Sequence, residues 1–248
     1  MVSLSAIDED RFGIVTARDP RFTVGTLPET LRFCRERSVR MLVARCDAAD
    51  LPAAQAMEAA GGRLMDTLVY WGRDLARPGP DEAPRAPVRA LAPADTDAVR
   101  RVAAAAFQGY FGHYHADPRL DRRKSDEAYA SWAERSCADP AVASKVLGVE
   151  HEGRVAGFLT LLGRGPDEQE IVLNGVDPAF QRHGLYRALV LAAIQHARAE
   201  RARRLVVSTQ LTNVGVQKTW ARLGFELDRA YYTFHLWFDG AGGAGVTA

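Results

Sequence analysis

The sequence has 248 residues, of which 47% are hydrophobic, enough for the core of one large domain or two small ones. Its 32 basic and 31 acidic residues leave a formal charge of +1, which excludes a global field that recruits nucleic acid or anionic lipid. No apolar run is long enough to span a membrane or serve as a signal peptide. We therefore expect a cytoplasmic protein whose anion recognition is local.

The cysteines give no sign of a disulfide framework or a zinc ribbon. Cys34, Cys46 and Cys137 are isolated in sequence and form no Cys-x-x-Cys pair. We expect them to be reduced residues that pack in the core.

The first block of the chain, residues 1–76, alternates helix and strand patterns. A helix is predicted over residues 26–37, with Pro28 in its first turn, and a strand over residues 40–46. A second helix begins near Asp50 and ends at Gly61-Gly62, and it precedes a strand over residues 64–71.

This block resembles the end of the chain. After a shift of 162 positions the order strand, helix, glycine, strand recurs with three identical residues, namely Gln55 on Gln217, Gly62 on Gly224 and Asp66 on Asp228. Such a shift indicates an internal repeat, and therefore a duplicated supersecondary unit. A chance alignment of two αβ segments is the alternative.

A break in the pattern follows the first block. Residues 77–87 are rich in proline and charge and show no apolar period, which is typical of a linker. A strand is then predicted over residues 88–91 and a helix over residues 96–106.

The segment 107–118, FQGYFGHYHADP, interleaves glycines and aromatic residues with two histidines. Since neither a helical nor a strand period is present, we predict a surface loop that suits a sugar or another polar ring. His113, His115 and Asp117 form the alternative, a metal site, because alternate residues of an extended segment share one face. No further histidine or cysteine cluster is near, so a polar acceptor wall is the better interpretation.

Two simpler elements follow this loop. Residues 125–136 predict a capped amphipathic helix with Tyr129 and Trp132 on its apolar side. Residues 145–150 and 154–162 predict a hairpin through the turn His151 to Arg154.

The next stretch carries the strongest functional signal. A strand is predicted over residues 171–176, and a helix begins at Leu185, so the segment Gln181-Arg182-His183-Gly184 lies at a helix N-terminus. The first turn of a helix has unpaired N–H groups and a positive dipole end, and Gly184 lets the backbone approach a phosphate. This pattern is neither a P-loop nor a three-glycine dinucleotide fingerprint.

A second motif lies at the end of this region. Residues 205–209 predict a strand, and Asn213 is a plausible N-cap of a helix that carries Trp220 inward and ends at Gly224-Phe225.

Together the two motifs resemble those of the GNAT N-acetyltransferase superfamily, whose patterns are Gln/Arg-x-x-Gly-x-Gly/Ala and a terminal Asn, Tyr, Gly-Phe spacing. The resemblance covers residues 88–238. It implies an α/β chain of the α+β GNAT fold, with a central mixed, mostly antiparallel twisted sheet flanked by helices. The expected domains are a partial GNAT-like repeat (1–76), the linker (77–87), the acetyl-CoA-binding domain (88–239) and a Gly-rich tail (240–248).

The resemblance also implies direct attack of an amine on the thioester of acetyl-CoA, with no covalent enzyme intermediate and no metal. A backbone N–H at Val176 or its neighbour is expected to polarise the thioester carbonyl. The residues implied in acetyl-CoA binding are Gly175, Val176, Gln181, Arg182, His183, Gly184, Leu185, Tyr186, Asn213, Val216 and Trp220.

One position departs from the superfamily pattern. Trp220 stands where a tyrosine usually protonates the departing thiolate, and an indole N–H is no acid near neutral pH. We therefore expect His113, His115 or Tyr186 to carry the proton.

The acceptor is less well defined by sequence. The layout, the loop and the final Tyr-Tyr-Thr-Phe-His resemble amino-sugar N-acetyltransferases of the dTDP-fucosamine acetyltransferase type, which implies a nucleotide-linked amino sugar. The expected acceptor contacts are Tyr110, His113, Tyr114, His115, Asn174 and Tyr232. The alternatives are another amine acceptor and a degenerate GNAT fold that acts as a CoA-binding sensor or interaction module. No nucleic acid or membrane partner is expected, and a homodimer is left open.

Overall fold

The computed structural model describes residues 1–80 and 82–238. The predicted tail 240–248, residue 239 and residue 81 of the predicted linker lie outside the described residues. The strands are Ser3–Leu4 (β1), Thr16–Asp19 (β2), Met41–Asp47 (β3), Arg63–Asp74 (β4), Val88–Ala90 (β5), Lys145–His151 (β6), Arg154–Gly163 (β7), Glu168–Val176 (β8), Arg204–Gln210 (β9) and Glu226–Trp237 (β10). The α-helices are Ala6–Phe12 (α1), Leu27–Glu36 (α2), Leu51–Ala59 (α3), Thr96–Ala106 (α4), His113–Ala116 (α5), Arg122–Ala138 (α6), Leu185–Ala199 (α7) and Val214–Arg222 (α8).

The chain divides into two compact units. The first, called unit 1 here, contains Met1–Leu68, Phe111–Lys124 and the described residues from Arg229 onward. Unit 2 contains Val69–Tyr110 and Ser125–Asp228. The domain boundaries expected from the sequence, at the linker 77–87, stay a prediction.

Unit 1 contains a mixed sheet with the strand order β1, β2, β3, β10. Strands β2 and β3 are parallel, and β10 runs antiparallel to β3 from the pair Tyr231 and Asp47 to the pair Trp237 and Met41. Strand β3 is a nearly continuous apolar run, MLVARC, because both of its faces are covered. The core includes Phe22, Leu42, Met57 and Phe234.

Unit 2 contains the strand order β9, β8, β7, β6, β5, in which only the pair β8 and β9 is parallel among the described residues. Helix α7 packs its apolar stripe on one core, which includes Leu159, Ile171 and Leu189. Helices α4 and α6 pack on a second core around Val99 and Phe158. The sheet is therefore buried on both faces, which explains the long apolar runs of β7 and β8.

The expected mixed, mostly antiparallel sheet flanked by helices is confirmed, and most predicted elements lie within two residues of the observed ones. The prediction of a surface loop over residues 107–118 is wrong. Residues His113–Ala116 form a short helix, and His113, Tyr114 and Asp117 are buried. These polar side chains can be buried because residues distant in sequence satisfy their hydrogen bonds, His235 those of His113 and Asp117, and Asp8 that of Tyr114. A sequence period cannot reveal such partners.

The predicted start of α6 is also wrong. The helix begins at Arg122, and Ser125 is fully buried within it rather than capping it. Tyr129 and Trp132 pack against the second core, as expected. Within residues 1–80 and 82–238, no helix is long and apolar enough to cross a membrane.

Candidate active site

The central feature of unit 2 is a gap between two parallel strands. Strands β8 and β9 pair only from Glu168 and Arg204 to Ile171 and Val207. The register of β8 against β7 shifts at this level, since Thr160 pairs with Leu173 but Leu161 pairs with Ile171. Val172 is thus the extra residue of a β-bulge, which bends a strand and ends its regular pairing. Beyond it, the edge of β8 that faces β9 is open.

The hydrogen bonds of β8 show which backbone groups face this gap. The N–H of Asp177 donates to the carbonyl of Ala156 on β7 over 2.9 Å. Because successive N–H groups along a strand point in opposite directions, the N–H of Val176 points away from β7. The carbonyl of Val176 lies on the same side, where the side-chain amide of Gln181 donates to it over 3.4 Å.

The segment Gln181 to Gly184 lies exposed at the start of α7. Arg182 has φ 68° and Gly184 has φ 76°, both in the left-handed region. For arginine this conformation costs free energy, and such strain concentrates at functional sites. Left-handed backbone followed by the first turn of a helix is a geometry that commonly turns N–H groups toward an anion.

Basic and aromatic side chains flank this segment. The Nδ1–H of His183 donates to the carbonyl of Phe180 over 3.2 Å, which fixes the direction of the imidazole ring. The ring of His151, at the end of β6, lies 5.0 Å from the ring of His183. The guanidinium of Arg154 lies 4.5 Å from the centre of the Phe180 ring. The hairpin of β6 and β7 therefore places basic side chains beside the segment Gln181 to Gly184.

A buried pair of aromatic residues links α8 to α7. The indole Nε1–H of Trp220 donates to the hydroxyl of Tyr186 over 2.8 Å, and Trp220 is only 1% exposed. Burial raises the pKa of Tyr186, although the indole donor acts in the opposite direction. The phenol therefore keeps its proton at neutral pH. Val216, on the same helix as Trp220, is half-buried against the same core.

A polar cluster occupies the carboxyl end of β9. The hydroxyl of Tyr110 donates to the side-chain oxygen of Gln210 and lies 3.4 Å from the hydroxyl of Thr209. The side-chain amide of Asn213 donates to the same Thr209 hydroxyl over 3.1 Å. Asn213 stands at the N-cap position of α8, as predicted, but its side chain makes no cap bond.

Sequence reasoning missed Thr209 and Gln210. The available signal was the polar run Ser-Thr-Gln that ends an otherwise apolar parallel strand. The carboxyl ends of parallel strands are the usual place of ligands in α/β sheets.

Strand β8 contributes Asn174 and Gly175 past the bulge, and both are half-buried. A Cβ at Gly175 would lie 3.0 Å from the Cβ of Ala106 and 3.6 Å from the Phe107 ring. Glycine therefore lets α4 pack closely against this end of β8, where a larger residue would press on Ala106.

Unit 1 contains a separate buried polar chain. Nδ1 of His113 lies 2.9 Å from Nε2 of His235, and Nδ1 of His235 lies 2.6 Å from the Asp117 carboxylate. The indole of Trp237 donates to the same carboxylate oxygen over 2.9 Å. Since a carboxylate only accepts, His235 donates to Asp117 from Nδ1, while Nδ1 of His113 and Nε2 of His235 share a single hydrogen between them.

The environment of this chain shifts two pKa values. Burial first, and then the neighbouring basic side chains of His235, Arg45 and Arg18, hold the pKa of His113 well below its ordinary value. Burial raises the pKa of Asp117, but the hydrogen bonds from His235 and its neighbours outweigh it and lower the pKa.

Tyr114 belongs to a second network of unit 1. Its hydroxyl donates to Asp8 over 2.5 Å and accepts from Arg18. Asp8 is completely buried and is further paired with Arg18 over 2.5 Å. The Tyr114 hydroxyl is therefore bound to both members of a buried ion pair.

The structure brings the predicted acetyl-CoA residues together in unit 2, with Tyr110, Asn174 and Tyr186. The other predicted acceptor residues, His113, Tyr114, His115 and Tyr232, belong to unit 1. Tyr232 packs against the apolar core of that unit. Their roles, and the catalytic role of His113 or His115, stay predictions. Among residues 1–80 and 82–238, no group of three His, Cys, Asp or Glu side chains could hold a metal.

Comparison with known proteins gives a matching family and several relatives. The model of the acetyltransferase (GNAT) family matches residues 103–225. The spore coat polysaccharide biosynthesis protein SpsD of Bacillus subtilis (strain 168) is 30% identical over 145 residues, which cover 58% of this chain and 48% of that protein. A mycothiol acetyltransferase of Cellulomonas flavigena is 33% identical over 191 residues, which cover 71% and 52%. The chain thus spans about half the length of these curated relatives.

Among solved structures, the crystal structure of a GCN5-related N-acetyltransferase from Sphaerobacter thermophilus is similar with a TM-score of 0.66. It is 16% identical in sequence, and the match covers 95% of this chain and 76% of that one. At this identity the likeness concerns the fold alone.

Proposed function

Because residues 103–225 form an acetyltransferase domain of the GNAT family, we propose that the protein transfers an acetyl group from acetyl-CoA to the amine of a small molecule. The observation that carries the proposal is the open gap between β8 and β9, with a strained, donor-rich segment at the start of α7 beside it. A gap with free backbone groups suits the amide-rich arm of CoA, and the segment suits its pyrophosphate.

The residues that would hold acetyl-CoA follow from this geometry. The N–H groups of residues 182–187 and the basic groups of Arg182 and His183 would bind the pyrophosphate, with Leu185 buried behind them. Gly175 and Val176 would meet the arm from β8, and Asn213, Val216 and Trp220 would meet it from α8.

The proposed acetyl transfer depends on one backbone hydrogen-bond donor and on the positioning of the two substrates. The N–H of Val176, which faces the gap, would donate to the thioester oxygen as negative charge develops there. Holding the amine beside the thioester removes the entropy cost of their encounter, which is a large share of the barrier in such reactions. The amine attacks directly, so no covalent enzyme intermediate forms.

We propose an amino sugar, preferably nucleotide-linked, as the acceptor. Two facts support the proposal: one relative is named for polysaccharide biosynthesis, and the gap ends in hydroxyl and amide side chains from Tyr110, Thr209 and Gln210. Such groups pair with sugar hydroxyls and offer no charge for a peptide substrate. We also propose a cytoplasmic location, and whether the protein forms a homodimer is left open.

The test is CoA thiol release from acetyl-CoA in the presence of a panel of amines. The panel should contain nucleotide-linked and free amino sugars, aminoglycoside-like polyamines, amino acids and peptides. We expect release above the rate without acceptor for an amino sugar. Release only with another amine would contradict the sugar assignment. Binding of acetyl-CoA without release for any amine would support the alternative of a CoA-binding sensor. The tryptophan at position 220, in place of the usual tyrosine, is the feature that favours that alternative.

A further inference from the structure

A basic side chain lies in the first turn of helix α7. Arg187 is the third residue of α7, and residues 185–188, which form this turn, include no acidic residue. The N-terminal end of a helix carries a positive partial charge, so a cation there is unfavourable unless an anion lies beside it. Arg187 therefore needs a negative charge from another part of the chain.

The segment that joins β4 to β5 supplies this negative charge. Nη2 of Arg187 donates to Oε1 of Glu82 over 2.7 Å, although the two residues are 105 positions apart in sequence. Both residues belong to unit 2. The side chains of Arg187 and Glu82 are 35% and 46% exposed, so a dissolved anion can approach the pair.

The ion pair leaves part of the guanidinium unsatisfied. Nη1 of Arg187 is buried and has no hydrogen-bond partner in the part of the chain that the structure describes. A buried donor without an acceptor costs free energy. A phosphate group has more acceptor oxygens and more negative charge than a carboxylate, so it is a better partner for a guanidinium than Glu82 is.

Little else holds Glu82 against α7. Apart from its bond to Arg187, residues 82–85 make no hydrogen bond or ion pair within residues 1–80 and 82–238. The segment is anchored only beyond them, where Ala86 packs against the core under α7 and the carbonyl of Pro87 accepts the N–H of Glu150 over 3.3 Å. Because an exposed ion pair contributes little free energy, a stronger anion can displace Glu82.

The pair lies close to the segment proposed for the CoA pyrophosphate. A side chain in a helix points back toward the N-terminus of that helix, and the residues that precede α7 are Gln181 to Gly184. The backbone N–H of Arg187 is itself among the groups proposed to bind the pyrophosphate. A phosphate of bound CoA would therefore meet the Arg187 guanidinium where the Glu82 carboxylate now lies.

We propose that Glu82 and a phosphate group of CoA compete for Arg187. The inference rests on the proposed function and adds a regulation of the same site. Without ligand, Glu82 neutralises Arg187 and weakens the attraction of the start of α7 for anions. When CoA binds, one of its phosphates replaces the carboxylate, and residues 82–85 leave α7. The Glu82 contact is thus autoinhibitory.

The test measures the dissociation constant of CoA by isothermal titration of the full chain in four forms: wild type, Glu82→Gln, Arg187→Gln and the double variant. Removal of the competing carboxylate predicts that Glu82→Gln binds CoA about 2- to 5-fold more tightly than wild type. Arg187→Gln should bind about 3- to 10-fold more weakly, because it loses a charged donor to phosphate. The double variant should match Arg187→Gln within about 1.5-fold, because Glu82 acts through Arg187.

Glu152→Gln is the matched control. Glu152 is exposed in the turn between β6 and β7, next to His151, and its substitution changes the net charge by the same amount as Glu82→Gln. It should change the affinity for CoA by less than about 1.5-fold, because salt screens an exposed charge that makes no direct contact. An equal gain in Glu82→Gln and Glu152→Gln, or a gain from Glu82→Gln that persists in the Arg187→Gln background, would overturn the inference.

Titration with dephospho-CoA identifies the competing phosphate. This ligand keeps the pyrophosphate but lacks the 3′-phosphate, so a gain in Glu82→Gln that remains assigns the competition to the pyrophosphate, and a gain seen with CoA alone assigns it to the 3′-phosphate. An unchanged affinity for CoA in Glu82→Gln would overturn the inference and leave CoA binding intact. Failure of wild type to bind CoA would overturn the proposed function and this inference with it.

Discussion

Asp117 and His235 form a buried hydrogen bond of 2.6 Å, and the Trp237 indole donates to the same carboxylate oxygen. The backbone N–H of Arg119 donates to the other oxygen over 2.9 Å. Three donors thus converge on one carboxylate that has almost no contact with water. Asp117 therefore organises the buried polar chain of unit 1.

Asp117→Asn should destabilise the protein by about 2 to 4 kcal/mol. An amide has one acceptor oxygen, so its NH₂ group must face at least one of the three donors. The free energy of unfolding in urea measures the effect. Asp10→Asn, on the exposed side of α1, is the control and should change that free energy by less than about 0.5 kcal/mol; a similar small effect at Asp117 would contradict the described network.

The free energy of unfolding should decrease as the pH is lowered below about 6.5, because the folded state holds His113 neutral. Burial first, and the basic side chains of His235, Arg45 and Arg18 next, lower its pKa. Because the pKa of His113 is lower in the folded than in the unfolded protein, its contribution to stability is fully present at a pH above the unfolded-state pKa. This contribution is lost as the pH falls from the unfolded-state pKa toward the folded-state pKa. Asp117, whose pKa is lowered in the folded state, acts in the same direction at still lower pH.

The measurement is the thermal midpoint between pH 8 and pH 5 for wild type and His113→Gln. The variant should show a flatter dependence over this range, since it has no imidazole to protonate at this position. Parallel curves for the two proteins would show that His113 is not held neutral by its surroundings.

Gly184→Ala should weaken acetyl-CoA binding by about 10-fold or more. Gly184 has φ 76°, where an alanine costs about 1 kcal/mol, and the added methyl group would stand where the phosphate is proposed to lie. Gly215→Ala is the matched control, because Gly215 is exposed within α8 and a Cβ there meets nothing within 4 Å. Equal affinities of the two variants would place the phosphate elsewhere.

Gly175→Ala should destabilise unit 2 by about 1 to 3 kcal/mol, because its Cβ would lie 3.0 Å from that of Ala106. The double variant Gly175→Ala with Ala106→Gly relieves that contact. The double variant should be more stable, by about 1 kcal/mol in the free energy of unfolding, than the added effects of the two single substitutions predict. Strict additivity would show that α4 does not press on this end of β8.

The sequence predicted the elements whose local patterns agree with their packing. The apolar period of α7, the proline that follows β8 and the Gln181 to Gly184 segment are each visible in one stretch of chain. The inward direction of Trp220 also follows from helical spacing, because the helix period alone decides it.

What the sequence did not predict depends on contacts between distant residues. His113 is buried by His235, which is 122 positions away, and the Tyr186 hydroxyl is oriented by a tryptophan 34 positions away. The Val172 bulge likewise depends on the pairing of β8 with β7. Such pairings leave no period in the sequence, so His113 looked like a surface loop residue.

The proposed use of acetyl-CoA is tested most directly by isothermal titration of the wild-type chain with acetyl-CoA, alongside Gly184→Ala and Gly215→Ala. We predict one site with a dissociation constant in the micromolar range, retained in Gly215→Ala and weakened in Gly184→Ala. Absence of any heat of binding in wild type, or equal binding by all three proteins, would contradict the account of the gap between β8 and β9 as an acetyl-CoA site.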